Sequence, residues 1–179
     1  HPDRFAVMGR ISHDVLTKSR GLLATWRDQA GMLGLRLALN NERTKPLLLR
    51  GELEPLWGEA ERAGVPIMVL VTHTMMPLID DIATRYPGLR LVMDHFALNS
   101  REKDEEAFRD FDKFLAIAKR ANVAAKASAL PCYSSHVYPY RRLHPYIRRA
   151  YDAFGPQRLF WGTDLSRSPI SYREHVTMF

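Results

Sequence analysis

The segment RLFWGTDLSR, residues 158–167, places a run of large apolar side chains directly before Gly-Thr-Asp. Short apolar runs bounded by turn-forming residues are typical of strands covered on both faces, so we predict a strand over residues 158–164. The apolar residues Leu159 to Trp161 are then expected to be buried in a sheet. Asp164 follows them either as an ordinary turn residue or as an acid at the rim of a pocket. The rest of the chain decides between these two interpretations.

The same kind of apolar run recurs along the chain and alternates with longer amphipathic segments. Such strands suit a parallel sheet with both faces covered, and their ends follow one another at intervals of about 30 residues, the length of a βα unit. The sequence therefore predicts six tandem βα units. Their strands are expected over residues 4–11, 34–39, 66–71, 89–95, 123–128 and 158–164.

Helices are predicted between the strands from the spacing of apolar residues. In residues 51–64 an apolar stripe recurs at three- and four-residue intervals, and Gly64 is placed to cap its end. Residues 105–121 have acids at the start and bases at the end, as the helix dipole favours. Further helices are predicted over residues 76–88, where Pro-Gly ends the pattern, and over residues 145–154.

Tandem βα units occur in two common architectures, the doubly wound sheet and the (β/α)8 barrel. No Gly-x-Gly-x-x-Gly follows a predicted strand and the sequence has no Walker-type phosphate loop, so the nucleotide-binding doubly wound sheet lacks its usual marks. A barrel normally takes about 250 residues. We therefore predict that residues 1–179 form a single incomplete α/β domain, a partial (β/α)8 TIM barrel of about six βα units.

Composition narrows the classes of partner. The chain has a formal net charge of +6, a single cysteine and no apolar run of membrane-spanning length. One cysteine excludes a disulfide within the chain, and we expect a cytoplasmic protein with no membrane partner. Arginines and aromatic residues concentrate in residues 138–149, a mixture that suits nucleic acid. Helical spacing also places these arginines on the solvent face of a helix, and an anionic small molecule explains the charge equally well.

Polar residues stand at the predicted carboxyl ends of the strands, where a barrel gathers its chemistry. They are Arg36, His73, Asp94, His95, Lys126 and Asp164. Each has an ordinary structural explanation as well, such as an ion pair, a loop position or a helix cap. The pair of Asp94 and His95 is the strongest signal, because burying both groups at the end of an apolar strand requires partners for both.

These residue types outline a hydrolytic site. Imidazoles and a carboxylate that converge on one rim can hold a divalent metal such as zinc, or can activate water without one. In such a site the carboxylate would take a proton from the attacking water, and a histidine would polarise the carbonyl under attack. Arg36 and Lys126 are candidates for binding a substrate carboxylate or a developing oxyanion.

Three segments stand in a fixed order with predicted helices between them: RYPGLRLVMDHFAL (85–98), NVAAKASALP (122–131) and RLFWGTDLSR. In this combination the chain resembles the amidohydrolase-related family, also called amidohydrolase family 2, over essentially its whole length. The family consists of TIM-barrel hydrolases. It includes lactonases that act on pyrone dicarboxylates and sugar lactones, and decarboxylases that act on aromatic acids.

The resemblance implies roles for particular residues. Asp164 corresponds to the acid that ends the last barrel strand, a metal ligand or general base, and His95 corresponds to the histidine that ends the sixth strand. His73 falls near a fifth-strand histidine that binds metal in the metal-dependent members. The implied metal ligands are thus Asp164, His95 and His73, with zinc as the expected ion. Arg36 and Lys126 lie where related lactonases place cations toward the substrate.

One departure from the family pattern is the lack of a His-x-His pair, which members have on the first strand. The sequence begins at what corresponds to strand three. We therefore expect a fragment that comprises strands three to eight, lacks the first two strands and a final helix after the last one, and is inactive on its own.

The predicted activity of the full-length protein is water attack on a lactone or a similar carboxylate-bearing small molecule. Two alternatives stay open. The first is a metal-dependent decarboxylase on the same scaffold. The second is a non-catalytic piece, either a pseudoenzyme or a basic segment that binds nucleic acid. Metal dependence and homo-oligomerisation also stay open.

Overall fold

The structure, a computed structural model, describes residues 1, 3–18 and 20–178. All strands of its six-stranded sheet are parallel and are hydrogen-bonded in chain order. Each of the six predicted strands is confirmed, with ends that differ by a few residues. The observed strands are β1 (Val7–Gly9), β2 (Met32–Ala38), β3 (Ile67–Leu70), β4 (Leu91–Met93), β5 (Val123–Ser128) and β6 (Leu159–Gly162).

The order of the strands separates the two candidate architectures. A doubly wound sheet reverses direction at a switch point, so its neighbouring strands are not all consecutive in sequence. Here every strand lies beside the next one along the chain, as in a barrel, where each βα unit steps in the same direction. The sheet is therefore part of a (β/α)8 barrel, and the predicted fold class is confirmed.

Helices connect the strands largely as predicted. Gly64 ends its helix in the left-handed conformation at φ 63°, as expected of a glycine C-cap. The helix predicted over residues 105–121 is interrupted, because the backbone leaves the helical region near Asp110. The observed α-helices are α1 (His13–Lys18), α2 (Lys45–Leu49), α3 (Glu54–Ala63), α4 (Met76–Arg85), α5 (Asp104–Ala107), α6 (Phe111–Ala116), α7 (His144–Phe154) and α8 (Tyr172–Thr177).

A short helix, α8, follows the last strand, so the expectation that the chain lacks a helix there was wrong. Ser171 begins α8 with a capping box, in which its side chain accepts from the backbone of Glu174 and the Glu174 carboxylate accepts from the backbone of Ser171. The Ser-x-x-Glu spacing is the sequence signal for such a helix start. None of the helices in the described ranges is long and apolar enough to cross a membrane.

The two faces of the sheet differ in burial. Side chains such as Leu35, Ile67 and Met93 point toward the helices and are buried, whereas Met68 and Val92 alternate with them and are only half-buried. This second face borders a cavity of about 490 Å³. It corresponds to the interior face of a barrel.

Burial at β6 differs from the prediction. Leu159 is half-buried, and Phe160 and Trp161 are 47% and 45% exposed, so the expectation that this run is buried was wrong. The physical reason is the position of β6 at the edge of the sheet. Within the described residues it pairs with β5 alone, and neither of its faces is fully covered.

Candidate active site

The register of the sheet brings the predicted polar residues together. Arg36 in β2 pairs with Met68, which pairs in turn with Val92 of β4. Because side chains alternate along a strand, Asp94 follows Val92 on the same face of the sheet. Ser128 at the end of β5 pairs with Gly162 of β6, and Asp164 follows two residues later. The carboxyl ends of β4, β5 and β6 therefore place their polar side chains on one rim.

A strained turn follows β4 and aims the histidine of the Asp-His pair. His95, Phe96 and Ala97 have φ values of 48°, 53° and 55°. Non-glycine residues rarely adopt this left-handed region, and each costs about 1 kcal/mol or more unless surrounding contacts enforce it. The fully buried Phe96 ring packs against both Phe111 and Phe114, with ring centroids 5.6 and 5.4 Å away. Strain of this kind is typical of functional sites.

The His95 ring bridges the ends of three strands. Its Nδ1 lies 2.7 Å from Ser128 Oγ at the end of β5, and its Nε2 lies 3.4 Å from Asp164 Oδ2 after β6. His95 and Ser128 are each 1% exposed, while the Asp164 side chain is 25% exposed. Nε2 has no hydrogen-bond partner within the described chain. The imidazole thus presents one buried, unsatisfied nitrogen toward a carboxylate that solvent can reach.

Asp94 forms the centre of a second cluster. Its Oδ2 accepts from Arg36 Nε at 2.7 Å and its Oδ1 accepts from Lys126 Nζ at 3.0 Å. Asp94 is fully buried, whereas the two cationic side chains are about a quarter exposed. Two positive charges and one negative charge leave a net charge of +1. The cations predicted to bind substrate are therefore held in place by a carboxylate beneath them.

Electrostatics determine the charge of these groups. Burial alone would raise the pKa of Asp94, but the nearby His95, Lys126 and Arg36 outweigh it and hold the pKa below its usual value. Burial lowers the pKa of His95, while Asp94 and Asp164 act in the opposite direction without reversing the shift. Near neutral pH, Asp94 is therefore ionised and His95 is a neutral imidazole.

The His73 side chain does not join the cluster of His95 and Asp164. Its Nε2 donates to the backbone carbonyl of Phe96 at 2.9 Å, and its ring lies about 6 Å from the rings of Phe111 and Phe114. Burial lowers its pKa, so it is neutral and supports the strained turn. It also borders a polar cleft of about 870 Å³ between the loops after β2, β3 and β4, which neither His95 nor Asp164 lines. Its role as a metal ligand stays a prediction.

The loop after β6 positions Asp164. Asp164 is itself left-handed at φ 52°, and its backbone carbonyl accepts from the backbone N–H of Arg167 at 2.9 Å. Arg167 Nη1 lies 3.6 Å from Asp164 Oδ2. Behind this loop, Tyr133 is almost fully buried and its hydroxyl has no hydrogen-bond partner among the described residues. Burial raises the pKa of Tyr133 to about 12, although Arg167 acts to lower it.

Two groups in this site had no role assigned from the sequence. Asp94 was recognised as a member of an Asp-His pair, but its function as the common partner of Arg36 and Lys126 depends on the register of strands far apart in sequence. Ser128 resembles any small polar residue at a strand end. A detectable signal was the alternation of Lys126 and Ser128 on one face of β5.

The metal-ligand set is incomplete within the described residues, since no group of three or more His, Cys, Asp or Glu side chains there could hold a metal ion. His95 Nε2 and Asp164 Oδ2 are two adjacent donors. Catalytic zinc sites typically take three protein ligands.

The fold and the site together define a barrel protein with an acid-histidine pair at the carboxyl ends of its strands. This chain belongs to the amidohydrolase family, whose model matches residues 17–175. L-fucono-1,5-lactonase of Burkholderia ambifaria is 34% identical over 100 residues, which are 53% of this chain and 32% of that protein. The chain therefore matches about a third of the length of this curated relative.

Solved structures share the fold. An amidohydrolase from Burkholderia multivorans with bound HEPES has a TM-score of 0.78 at 22% identity, covering 97% of this chain and 64% of that one. A structure of the same protein with bound zinc has a TM-score of 0.75 at 21% identity, covering 97% and 63%. A probable 2-pyrone-4,6-dicarboxylic acid hydrolase from Acinetobacter baumannii, with citric acid bound, has a TM-score of 0.69 at 19% identity, covering 99% and 66%. At these identities the likeness concerns the fold alone.

Proposed function

We propose that this chain provides the water-activating site of a hydrolase that opens a carboxylate-bearing lactone. The observation behind this proposal is the distance of 3.4 Å between His95 Nε2 and Asp164 Oδ2 at the rim of the barrel. At this distance a neutral imidazole lies beside a carboxylate that is a quarter exposed. Acyl transfer to water requires these two groups.

Asp164 acts on the water in this mechanism. Its carboxylate accepts a proton from the water as the oxygen attacks the lactone carbonyl carbon. His95 donates a hydrogen bond from Nε2 to the carbonyl oxygen, where negative charge develops. When the tetrahedral intermediate collapses, the ring C–O bond breaks and protonated Asp164 returns its proton to the leaving alkoxide. The products are a hydroxyl and a carboxylic acid on one opened molecule; the acid then releases its proton to solvent, and Asp164 is ionised again.

Arg36 and Lys126 orient the substrate. Arg36 contacts Asp94 through Nε, and no contact with a described residue occupies its two terminal nitrogens. An ammonium has three donors, of which Lys126 directs one to Asp94 and one to Met68 Sδ at 3.8 Å. The remaining donors and the net positive charge suit a substrate carboxylate. Asp94 holds both cations at fixed positions, which lowers the cost of ordering them when the substrate binds.

The comparisons support the lactone as substrate class. The relative with 34% identity is a lactonase, and its aligned segment covers about half of this chain. We propose zinc as the metal ion of this site, from the family and from the zinc-bound structure of similar fold. In a zinc-bound form His95 Nε2 and Asp164 Oδ2 would be the ligands from this chain, and zinc would take over from the Nε2 proton the polarisation of the carbonyl. Two donors do not complete a catalytic zinc site, so the mechanism above includes no step through a metal.

The test is turnover by the protein that contains this chain. Lactones with and without a carboxylate are incubated with it, ring opening is followed as acid release, and carbon dioxide is measured in parallel with aromatic acids. We expect ring opening, with kcat/KM at least tenfold higher for carboxylate-bearing lactones because of the Arg36 and Lys126 charges. Carbon dioxide release without ring opening would establish the decarboxylase alternative instead.

Absence of both reactions in a folded protein would support a non-catalytic role. In that case binding to DNA and RNA is measured across a range of salt concentrations. Tight binding that weakens steeply with salt would identify a nucleic-acid partner, whereas weak binding that vanishes near physiological salt would be ordinary attraction to a basic protein.

A further inference from the structure

Asp104 joins two loops at the carboxyl ends of the strands, and the proposed mechanism gives it no role. Its Oδ1 accepts from Ser134 Oγ at 3.1 Å and from the backbone N–H of Ser135 at 3.0 Å, and its Oδ2 accepts from Ser135 Oγ at 2.5 Å. His136 Nε2 lies 3.6 Å from Oδ1. Asp104 begins α5, which follows β4, whereas its partners belong to residues 129–140 after β5, which we call the β5 loop. One carboxylate thus binds a neighbouring loop through three hydrogen bonds.

Backbone conformation and charge both favour these contacts. Asp104 has a φ of 52°, and Ala129, the first residue of the β5 loop, has a φ of 56°. Non-glycine residues persist in this left-handed region only where the surrounding contacts enforce it. The hydroxyl and N–H of Ser135 and the hydroxyl of Ser134 lower the pKa of Asp104 against the opposing effect of burial. Asp104 is therefore ionised near neutral pH and can accept from all three donors.

The β5 loop in turn contacts the loop after β6 that carries Asp164. Cys132 Sγ donates to the backbone carbonyl of Arg167 at 3.3 Å, and the backbone N–H of Arg167 donates to the carbonyl of Asp164 at 2.9 Å. Tyr133, next to Cys132, is 1% exposed, so this part of the loop is packed into the protein. Asp164 itself is left-handed at φ 52° and needs such support. A continuous path of contacts therefore leads from Asp104 to Asp164.

We infer that Asp104 is a positioning residue of the site, which holds the β5 loop in place and thereby keeps Asp164 beside His95. Within the described chain Asp104 has no hydrogen bond or ion pair with either of them, so its effect passes through Cys132 and Arg167. The role depends on hydrogen bonds and not on charge. An asparagine can make the same contacts, because its amide has an acceptor oxygen and its N–H groups can donate to a hydroxyl.

The kinetic consequence rests on the proposed function. A displaced general base slows the chemical step, whereas the substrate-binding cations Arg36 and Lys126 lie on β2 and β5 and stay in place. We therefore expect Asp104→Ala to lower kcat for lactone opening about tenfold, with KM within about twofold of the wild type. Asp104→Asn should restore most of kcat. A rise in KM at unchanged kcat would show that the β5 loop does not position Asp164.

The deciding experiment requires no activity, because Cys132 reports the position of the β5 loop. Burial raises the pKa of its thiol, and the thiol donates to a carbonyl, so alkylation should be slow while the loop is held in place. The protein that contains this chain is incubated with iodoacetamide at constant pH, and labelling is followed by mass spectrometry of the tryptic peptide 127–141. That peptide contains no other cysteine.

The variants differ in how many hydrogen bonds they remove. We expect Asp104→Ala to raise the labelling rate of Cys132 about tenfold, because a loop without these hydrogen bonds opens more often. Ser135→Ala removes one exposed hydroxyl and should raise the rate about threefold, while Asp104→Asn should stay within about twofold of the wild type. The control is Asp112→Ala, an exposed acid of α6 that pairs with Arg149, and it should label at the wild-type rate.

A wild-type labelling rate in folded Asp104→Ala would overturn the inference. Equal increases in Asp104→Ala and Asp112→Ala would also overturn it, because general loosening would then explain both. If Asp104→Ala fails to fold, Ser135→Ala decides the question: an increased rate supports the inference and a wild-type rate contradicts it. If labelling is as expected and no lactone is opened, the proposed function fails and the role of Asp104 in holding the β5 loop stands.

Discussion

His95 and Asp164 face each other across the end of β5, with 3.4 Å between Nε2 and Oδ2, although β4 and β6 are not adjacent strands. The histidine reaches over Ser128 because three consecutive left-handed residues turn its ring toward β6. The orientation of this one imidazole thus depends on three strained backbone conformations. Such an arrangement is expected where a side chain must meet a reacting atom and is difficult to explain by packing alone.

Removing the charge of Asp94 should destabilise the protein. In Asp94→Asn the cations of Arg36 and Lys126 lose their common counter-ion, and we expect the free energy of unfolding to fall by about 2 kcal/mol. Breaking a fully buried pair typically costs more, but both cations are about a quarter exposed and solvent offsets part of the loss. Urea unfolding with an unchanged slope measures the effect.

A second variant, Lys126→Met, distinguishes the repulsion between the Arg36 and Lys126 cations from the loss of their contacts with Asp94. Lys126→Met alone should cost less than Asp94→Asn, because Arg36 still pairs with the carboxylate. Combined with Asp94→Asn it should recover part of the lost stability, since only one unpaired cation remains. Equal stability of Asp94→Asn and the wild type would show that the cluster does not hold the site together.

The exposed apolar edge should make the isolated 179-residue chain associate. Phe160 and Trp161 are nearly half exposed on an edge strand, and such edges pair with other chains. We expect light scattering to show mass above that of the monomer, rising with concentration. Phe160→Lys should reduce this association several-fold. Val137→Lys, at a loop residue that is 83% exposed, is the matched control and should leave it unchanged.

Acidification should destabilise the segment that follows the site. Burial lowers the pKa of His175 below its ordinary 6.5, while neighbouring Glu174 acts in the opposite direction, and Nε2 lies 2.5 Å from Ser168 Oγ. The folded state binds the proton more weakly than the unfolded chain does. The contribution of His175 to stability is therefore complete above pH 6.5 and is lost as the pH falls through the lower, folded-state pKa.

The pH dependence of urea unfolding checks this expectation. His175→Gln should flatten the decrease in unfolding free energy below pH 6.5. A decrease of the same size in His175→Gln and the wild type would contradict it. The buried His73 and His95 also have lowered pKa values, so part of the decrease should persist in every variant.

The strands were predictable because apolar runs such as 66–71 and 123–128 are visible without tertiary information. The burial of an individual strand was not predictable from its own sequence. Phe160 and Trp161 have the same apolar character as the residues of β3, but their exposure depends on which strands lie beside β6. Periodicity reports how apolar a segment is, and neighbours decide how deeply it is buried.

The site was predictable to the level of which residues gather at the strand ends. The contacts within the site were not predictable, because they depend on backbone conformations that the sequence does not reveal. The turn at His95 to Ala97 contains no glycine, so its left-handed backbone gives no signal in sequence. That turn directs His95 toward Asp164 and presents the Phe96 carbonyl to His73. Whether His73 binds a metal stays a prediction for the same reason.

The central claim is that Asp164 removes the proton from the attacking water. Asp164→Asn keeps the size and polarity of the side chain but cannot accept that proton, so we expect kcat for lactone opening to fall about a thousandfold while circular dichroism and urea unfolding stay as in the wild type. Asp152→Asn, at an exposed position of α7, is the control and should retain full activity. If Asp164→Asn opens the lactone at the wild-type rate, the proposed mechanism is wrong.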